Sequence, residues 1–255
     1  MSVYDAIAPE FDRCRPLPDG VAEAVRDTIL RSGLSPRFRL LDLGAGTGRI
    51  GWPFVTAGDD YVGADLSFGM LRNFAQRHPG ALLVQADGTV LPFPDGCFDA
   101  VLLVQVLNRV AGWRHLLADT IRVLRPGGIV AAGRVIAPDG GVDAQMKARL
   151  AGILDRMDVH PYRGKFRDDA MGWLARRMPD PTVRVVSSWA AERTPRGFLQ
   201  RHAGGARFAV LPEAVKRDAM RALGIWATEQ FGSLDAVHRE DHRFELIIHR
   251  SPQGA

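Results

Sequence analysis

Three aspartates and a run of glycines carry the chemistry in this sequence. In "LLDLGAGTGRI" (40–50) an apolar run ends in Asp42, and Gly44, Gly46 and Gly48 follow at alternate positions. Glycines at a strand end let the backbone turn tightly and let a ligand come close. Such loops commonly hold a pyrophosphate, but the third glycine of G-x-G-x-x-G is replaced here by Arg49. Two more acids close apolar runs: Asp65 in "VGADLS" and Asp87 in "VQADG". If the three strands adjoin, their carboxylates share one crevice. A pyrophosphate there would meet like charge at a cost on the order of several kcal/mol.

A ligand carrying hydroxyls, an amine and positive charge suits that crevice better. Asp65 can accept both ribose hydroxyls. Asp87 can accept from an adenine amine while the Gly88 N–H donates to the ring, and Asp42 can balance an ammonium. Adenosine joined to an amino acid through a sulfonium meets all of these conditions.

Short apolar runs alternating with amphipathic segments must position these residues. "FRLLDL", "DYVGADL", "ALLVQAD", "FDAVLLVQV" and "GIVAAGRV" read as strands. "TGRIGWPFVTAG", "SFGMLRNFAQRH" with Ser67 as cap, and "WRHLLADTIRVL" read as the helices between them. Pro53 fits the first of these helices only in its first turns, or as a kink. The alternation predicts a doubly wound, mostly parallel α/β sheet with helices on both faces. Residues 1–36 form an expected N-terminal helical cap, and 37–138 the cofactor-binding core. The range 139–181 reads as a helical insertion or lid, and 182–255 as strands and a long helix completing one domain.

Together "LLDLGAGTGRI", "VGADLS", "ADGTVLPFPDGCFDAV" and "RVLRPGGIV" resemble the class I S-adenosylmethionine-dependent methyltransferases, in particular the small-molecule branch called methyltransferase type 11. The opening "YDAIAPEFD" is similar to that branch as well. The resemblance implies a Rossmann-like seven-stranded sheet with an antiparallel last strand and a helical insertion between the fifth and sixth strands. It also implies S-adenosylmethionine as cofactor and S-adenosylhomocysteine as product. Gly44, Ala45, Gly46 and Gly48 would wrap the methionine part, and Leu66 and Met70 would line the adenine pocket. Val104 and Gln105 would border the sulfonium, and Tyr4 would close the site from above.

A methyl leaves a sulfonium by in-line displacement, so alignment and water exclusion matter most. A base is needed only where the acceptor keeps its proton. His160 and Tyr162 in "DVHPYRG" and His202 in "FLQRHAGG" are the candidates, on turn-rich segments expected to roof the site. Trp173, Trp189 and Trp226 are available for an apolar pocket or for the core. No "[DNS]-P-P-[YFW]" or Pro-Cys follows the fourth strand, which argues against base-nitrogen and cytosine-carbon methylation. The acceptor is expected to be an oxygen or nitrogen of a small organic molecule. RNA, tRNA in particular, is the alternative acceptor, and cofactor binding without catalysis is the other competing reading.

The 255 residues carry a formal charge of +4, from 33 basic against 29 acidic side chains. No block of like charge demands nucleic acid. No apolar run approaches the ~20 residues of a membrane span, and the opening lacks a signal-peptide pattern. These features lead us to expect a cytoplasmic protein, as monomer or homodimer. Only Cys14 and Cys97 are present, and no Cys/His cluster has metal-ligand spacing.

Overall fold

Parallel strands buried on both faces need continuous apolar runs, and "RLLDL" and "FDAVLLV" supply them. The computed structural model describes residues 5, 8, 12, 17–108, 110–159, 166–203 and 211–253. In chain order the described elements are α1 (Val21–Leu30), β1 (Arg39–Leu43), α2 (Trp52–Thr56), β2 (Asp60–Asp65), α3 (Phe68–Arg77), β3 (Leu82–Gln85) and β4 (Phe98–Val104). They continue with α4 (Trp113–Val123), β5 (Leu124–Ile136), α5 (Val142–Arg156), α6 (Phe166–Ala175), β6 (Thr182–Arg193), α7 (Pro195–Ala203), α8 (Glu213–Phe231) and β7 (His238–Arg250).

One seven-stranded sheet runs in the order β3-β2-β1-β4-β5-β7-β6. Strands β1 to β5 pair in parallel, and β7 inserts antiparallel between β5 and β6. The expected sheet, its antiparallel last strand and the insertion of α5 and α6 between β5 and β6 are all present. The order of the chain reverses between β1 and β4. Ligands of open α/β sheets gather at the carboxyl ends of the strands flanking such a reversal.

Alternate side chains of the strands feed two cores. Val101, Leu103 and Val130 face α4 and α6, where Leu116, Leu117, Ala170 and Leu174 are buried. Leu40, Leu102, Ala131 and Leu246 face the other way, against α1, α2 and α3 through Val25, Phe54 and Phe74. A third apolar cluster joins α5, α7 and α8 around Met146, Phe198 and Leu223.

Several local expectations are corrected. The helix expected over 47–58 shrinks to Trp52–Thr56, and Pro53 sits in its first turn, where a missing N–H costs nothing. α1 is capped by Gly20 at φ 81°, with no side-chain hydrogen bond to its first turn. β7 starts at His238, where its first residues pair with the far end of β6. The segment around His202, expected as a loop, is the helix α7.

Candidate active site

The first element of the site is the turn after β1. Gly44, Gly46 and Gly48 all take positive φ, at 81°, 57° and 81°, a region that costs any side chain with a Cβ. The N–H groups of Gly44 and Ala45 both donate to the Ala64 carbonyl, at 2.7 and 3.0 Å, which ties the turn to β2. The three glycines differ in what they face. A Cβ on Gly46 would meet nothing nearer than 3.9 Å, whereas one on Gly48 would fall 2.3 Å from the Phe74 ring and one on Gly44 2.3 Å from Val106.

Asp65 fastens the same turn from the other side. Its carboxylate accepts from the Gly46 N–H at 2.9 Å and from the Ser67 N–H at 2.8 Å. Ser67 then caps α3, its hydroxyl accepting from the Met70 N–H at 3.3 Å. Burial raises the Asp65 pKa, opposed by the N–H groups of Ser67 and Gly46. Asp87 follows β3 and is exposed. The Thr89 N–H and hydroxyl donate to it at 2.9 and 2.8 Å and hold its pKa below the ordinary carboxylate range.

Asp42 is only 2% exposed, and the Tyr61 hydroxyl donates to it at 2.8 Å. Burial pushes its pKa up to about 7, against the stabilising Tyr61 bond, and the Asp65 charge adds to the rise. This carboxyl is therefore poised between its two protonation states near neutrality.

The three acids border one cavity of about 290 Å³. Of the expected residues, Asp42, Gly44, Ala45, Gly46, Asp65, Leu66, Met70, Asp87, Gly88, Val104 and Gln105 line it. Gly48 does not, because it is spent on the close approach of Phe74. Thr47, Arg49 and Ile50 also line the cavity, from within the glycine-rich motif itself. Val106, Val110 and Leu116 reach it from β4's end and from α4. Nothing in the local sequence marks Leu116 as different from the core leucine beside it.

Gln105 has φ 58° directly after β4. A non-glycine residue held in that region marks a constrained point at the cavity edge. Asp5 and Asp12 contact the elements that border the same cavity. Asp5 accepts from the Ser67 hydroxyl and the Gly69 N–H at 2.6 and 3.0 Å. Asp12 accepts from the Thr47 hydroxyl at 2.6 Å and pairs with Arg77 at 2.8 Å. Tyr4, expected to close the site, lies outside the described residues, as do His160 and Tyr162.

His202 is placed elsewhere. It sits on α7 with its ring stacked on Phe198 at 3.7 Å and its Nδ1 donating to the Phe198 carbonyl at 3.0 Å. Burial lowers its pKa to about 4, and it does not line the cavity. The tryptophans are placed elsewhere too. Trp173 packs edge-on to Trp113, Trp189 lies against His242, and Trp226 stands over Phe231 on α8.

The cavity suits a nucleoside with an amino-acid tail. It is open above Gly46 and acidic at three strand ends, and Leu66 and Met70 add apolar surface beside them. Comparison with known proteins agrees. The methyltransferase domain family matches residues 41–132. A demethylmenaquinone methyltransferase of Streptomyces avermitilis is 32% identical over 193 residues, covering 73% of this chain and 71% of that protein. The chain belongs to the class I S-adenosylmethionine-dependent methyltransferases.

A second relative of this methyltransferase, the demethylmenaquinone methyltransferase of Renibacterium salmoninarum, is 34% identical over 142 residues, which span 60% of that protein. Among solved structures, the geranyl diphosphate C-methyltransferase of Streptomyces coelicolor, in complex with S-adenosylhomocysteine, shares the fold at a TM-score of 0.52. It is 17% identical and covers 98% of this chain and 84% of its own. The YcgJ protein of Bacillus subtilis aligns at a TM-score of 0.58 and 18% identity, over 91% of this chain and 99% of its own. The cofactor of this methyltransferase is S-adenosylmethionine. No helix among the described residues is long and apolar enough to cross a membrane.

Proposed function

We propose that the protein moves the methyl group of S-adenosylmethionine to an oxygen or nitrogen of a small organic molecule. The observation that carries this reading is the single cavity at the ends of β1 to β4, lined by three carboxylates and one basic residue, Arg49. In this reading Asp65 takes the ribose hydroxyls, Asp87 and Gly88 the adenine edge, and Asp42 the ammonium. The turn from Gly44 to Gly46 cradles the methionine chain, and Leu66 and Met70 cover the base.

Bound there, the cofactor supplies an electrophilic methyl on a sulfonium whose charge is lost as the methyl moves. The chain's own part is alignment and exclusion of water. Val104 and Gln105 border the path, and the strained backbone of Gln105 fixes the edge along which the acceptor lies. His160 and Tyr162 serve as base where the acceptor keeps its proton. The range 139–181 covers the site as a lid within a single domain spanning 1–255.

A second reading takes its acceptor from the relatives, which are named for demethylmenaquinone. Calorimetry with S-adenosylmethionine, S-adenosylhomocysteine and NADH tests the cofactor assignments, and micromolar-class binding of the first two alone is expected. Asp65→Ala abolishes that binding; retained affinity removes the ribose assignment. Release of S-adenosylhomocysteine is then followed with small hydroxyl and amine acceptors, demethylmenaquinone and bulk tRNA in parallel. Turnover with tRNA alone overturns the small-molecule reading.

A further inference from the structure

Beyond the end of β4, the sheet carries a group of arginines that the fold leaves short of partners. Gly133 on β5 pairs with Val104, and its carbonyl accepts from the Gln105 N–H at 3.2 Å. The next residue, Arg134, lies opposite Glu245 on β7, on the sheet face shared with α4 and α6. Arg167 enters from the first turn of α6 and is only 8% exposed.

The carboxylate available to these arginines is already committed. Glu245 accepts from Arg243 Nε at 2.6 Å, and its other oxygen lies 3.8 Å from Arg134 Nη2. Among the described residues, Arg167 Nη2 and Arg134 Nε are buried with no hydrogen-bond partner. Burial and the neighbouring Arg134 charge both disfavour the Arg167 cation, while Asp168 and Glu245 favour it more weakly. Asp168 is exposed to water. A guanidinium in the first turn of a helix also meets the positive end of the helix dipole. Buried donors without acceptors are rare in folded proteins and call for an explanation. Arg134 is 39% exposed along its side chain, so solvent reaches this member of the pair.

We propose that Arg134 and Arg167 form an anion subsite that seats a carboxylate or phosphate of the methyl acceptor. Paired guanidiniums match the geometry of both groups, and burial strengthens the match. The subsite begins one residue beyond the strand pair that borders the cofactor cavity, so an acceptor anchored there presents its far end toward Val104 and Gln105. The proposal rests on the methyltransferase reading and narrows its acceptor to an acidic molecule. An uncharged quinone leaves both guanidiniums as they are.

The test is calorimetry at low ionic strength on protein saturated with S-adenosylhomocysteine, with benzoate, inorganic phosphate and benzamide as probes. Benzoate or phosphate is expected to bind at least tenfold more tightly than benzamide, and which of the two wins identifies the preferred anion. Arg167→Met is expected to lose at least tenfold in anion affinity and to keep its affinity for S-adenosylhomocysteine. Without anion its Tm rises, because a buried unpaired charge is gone. Arg134→Gln, on the exposed side, gives the same loss if Arg167→Met does not fold. Equal binding of benzamide, no anion binding, or unchanged anion affinity in both variants overturns the subsite. Failure of S-adenosylhomocysteine to bind wild-type protein instead overturns the methyltransferase reading, while the anion titration still reports on the arginines.

Discussion

Cofactor affinity should follow the ionisation of Asp42. The carboxyl is buried at the edge of the cavity with the Tyr61 hydroxyl as its donor, and burial pushes its pKa from 3.8 to about 7. That rise corresponds to about 4 kcal/mol by which the fold disfavours the carboxylate over the acid. An ammonium placed beside Asp42 favours the ionised form, so binding expels a proton wherever the free protein holds one. With half-ionisation near pH 7, about one site in ten is ionised at pH 6 and about one in a hundred at pH 5. Affinity for S-adenosylmethionine should therefore fall about tenfold from pH 8 to pH 6, and about tenfold again by pH 5. Calorimetry in two buffers of different ionisation enthalpy should count close to one proton released per ligand at pH 6 and almost none at pH 8.

The same group shapes stability. Its folded pKa lies above its unfolded one, so the native state holds the extra proton between these values. Stability is then lost as pH rises from about 4 to about 7 and is level beyond. Asp42→Asn should remove both slopes, raising Tm at pH 8 and leaving it unchanged near pH 4. Wild-type affinity that stays flat between pH 5 and 7.5 refutes the pairing of Asp42 with the ammonium.

Two further perturbations separate binding from folding. Gly46→Ala meets no atom within 3.9 Å but must hold φ near 57°; a cost of about 1 kcal/mol in stability is expected, with a disproportionate loss of cofactor affinity. Gly48→Ala drives a methyl into the Phe74 ring and should cost about 3 kcal/mol by urea unfolding, with cofactor affinity little changed once the protein is folded. His202, lowered to about 4 by burial on α7, is neutral throughout the working range. His202→Phe should leave the pH profile of turnover unmoved, and a lost acidic limb would return His202 to the candidate bases.

The local chain was legible where periodicity and chemistry coincide. Asp42, Asp65 and Asp87 each follow a short continuous apolar run, and parallel strands bring their carboxyl ends to one edge. That is why sheet, cofactor and most of the cavity lining could be read from residues 40–105. Ser67 capped α3 as its type and position require. Beyond β5 the signals weaken, because α7 is short and its helical period is broken by Gly197 and by polar residues. The residues around His202 therefore read as a turn, although its ring stacks on Phe198 one helical turn earlier.

Sequence by itself determined the strand–helix alternation and the acids at the strand ends, since both depend on residue type and neighbours in the chain. Tertiary structure alone decided which glycine faces the ligand and which faces Phe74, because that choice depends on a side chain 26 residues away. It also decided that Asp42 is buried deeply enough to titrate near neutrality, and that Glu245 faces arginines from three separate elements, Arg134, Arg167 and Arg243. Desolvation and charge balance are sums over everything nearby in space, and no local stretch of chain contains them.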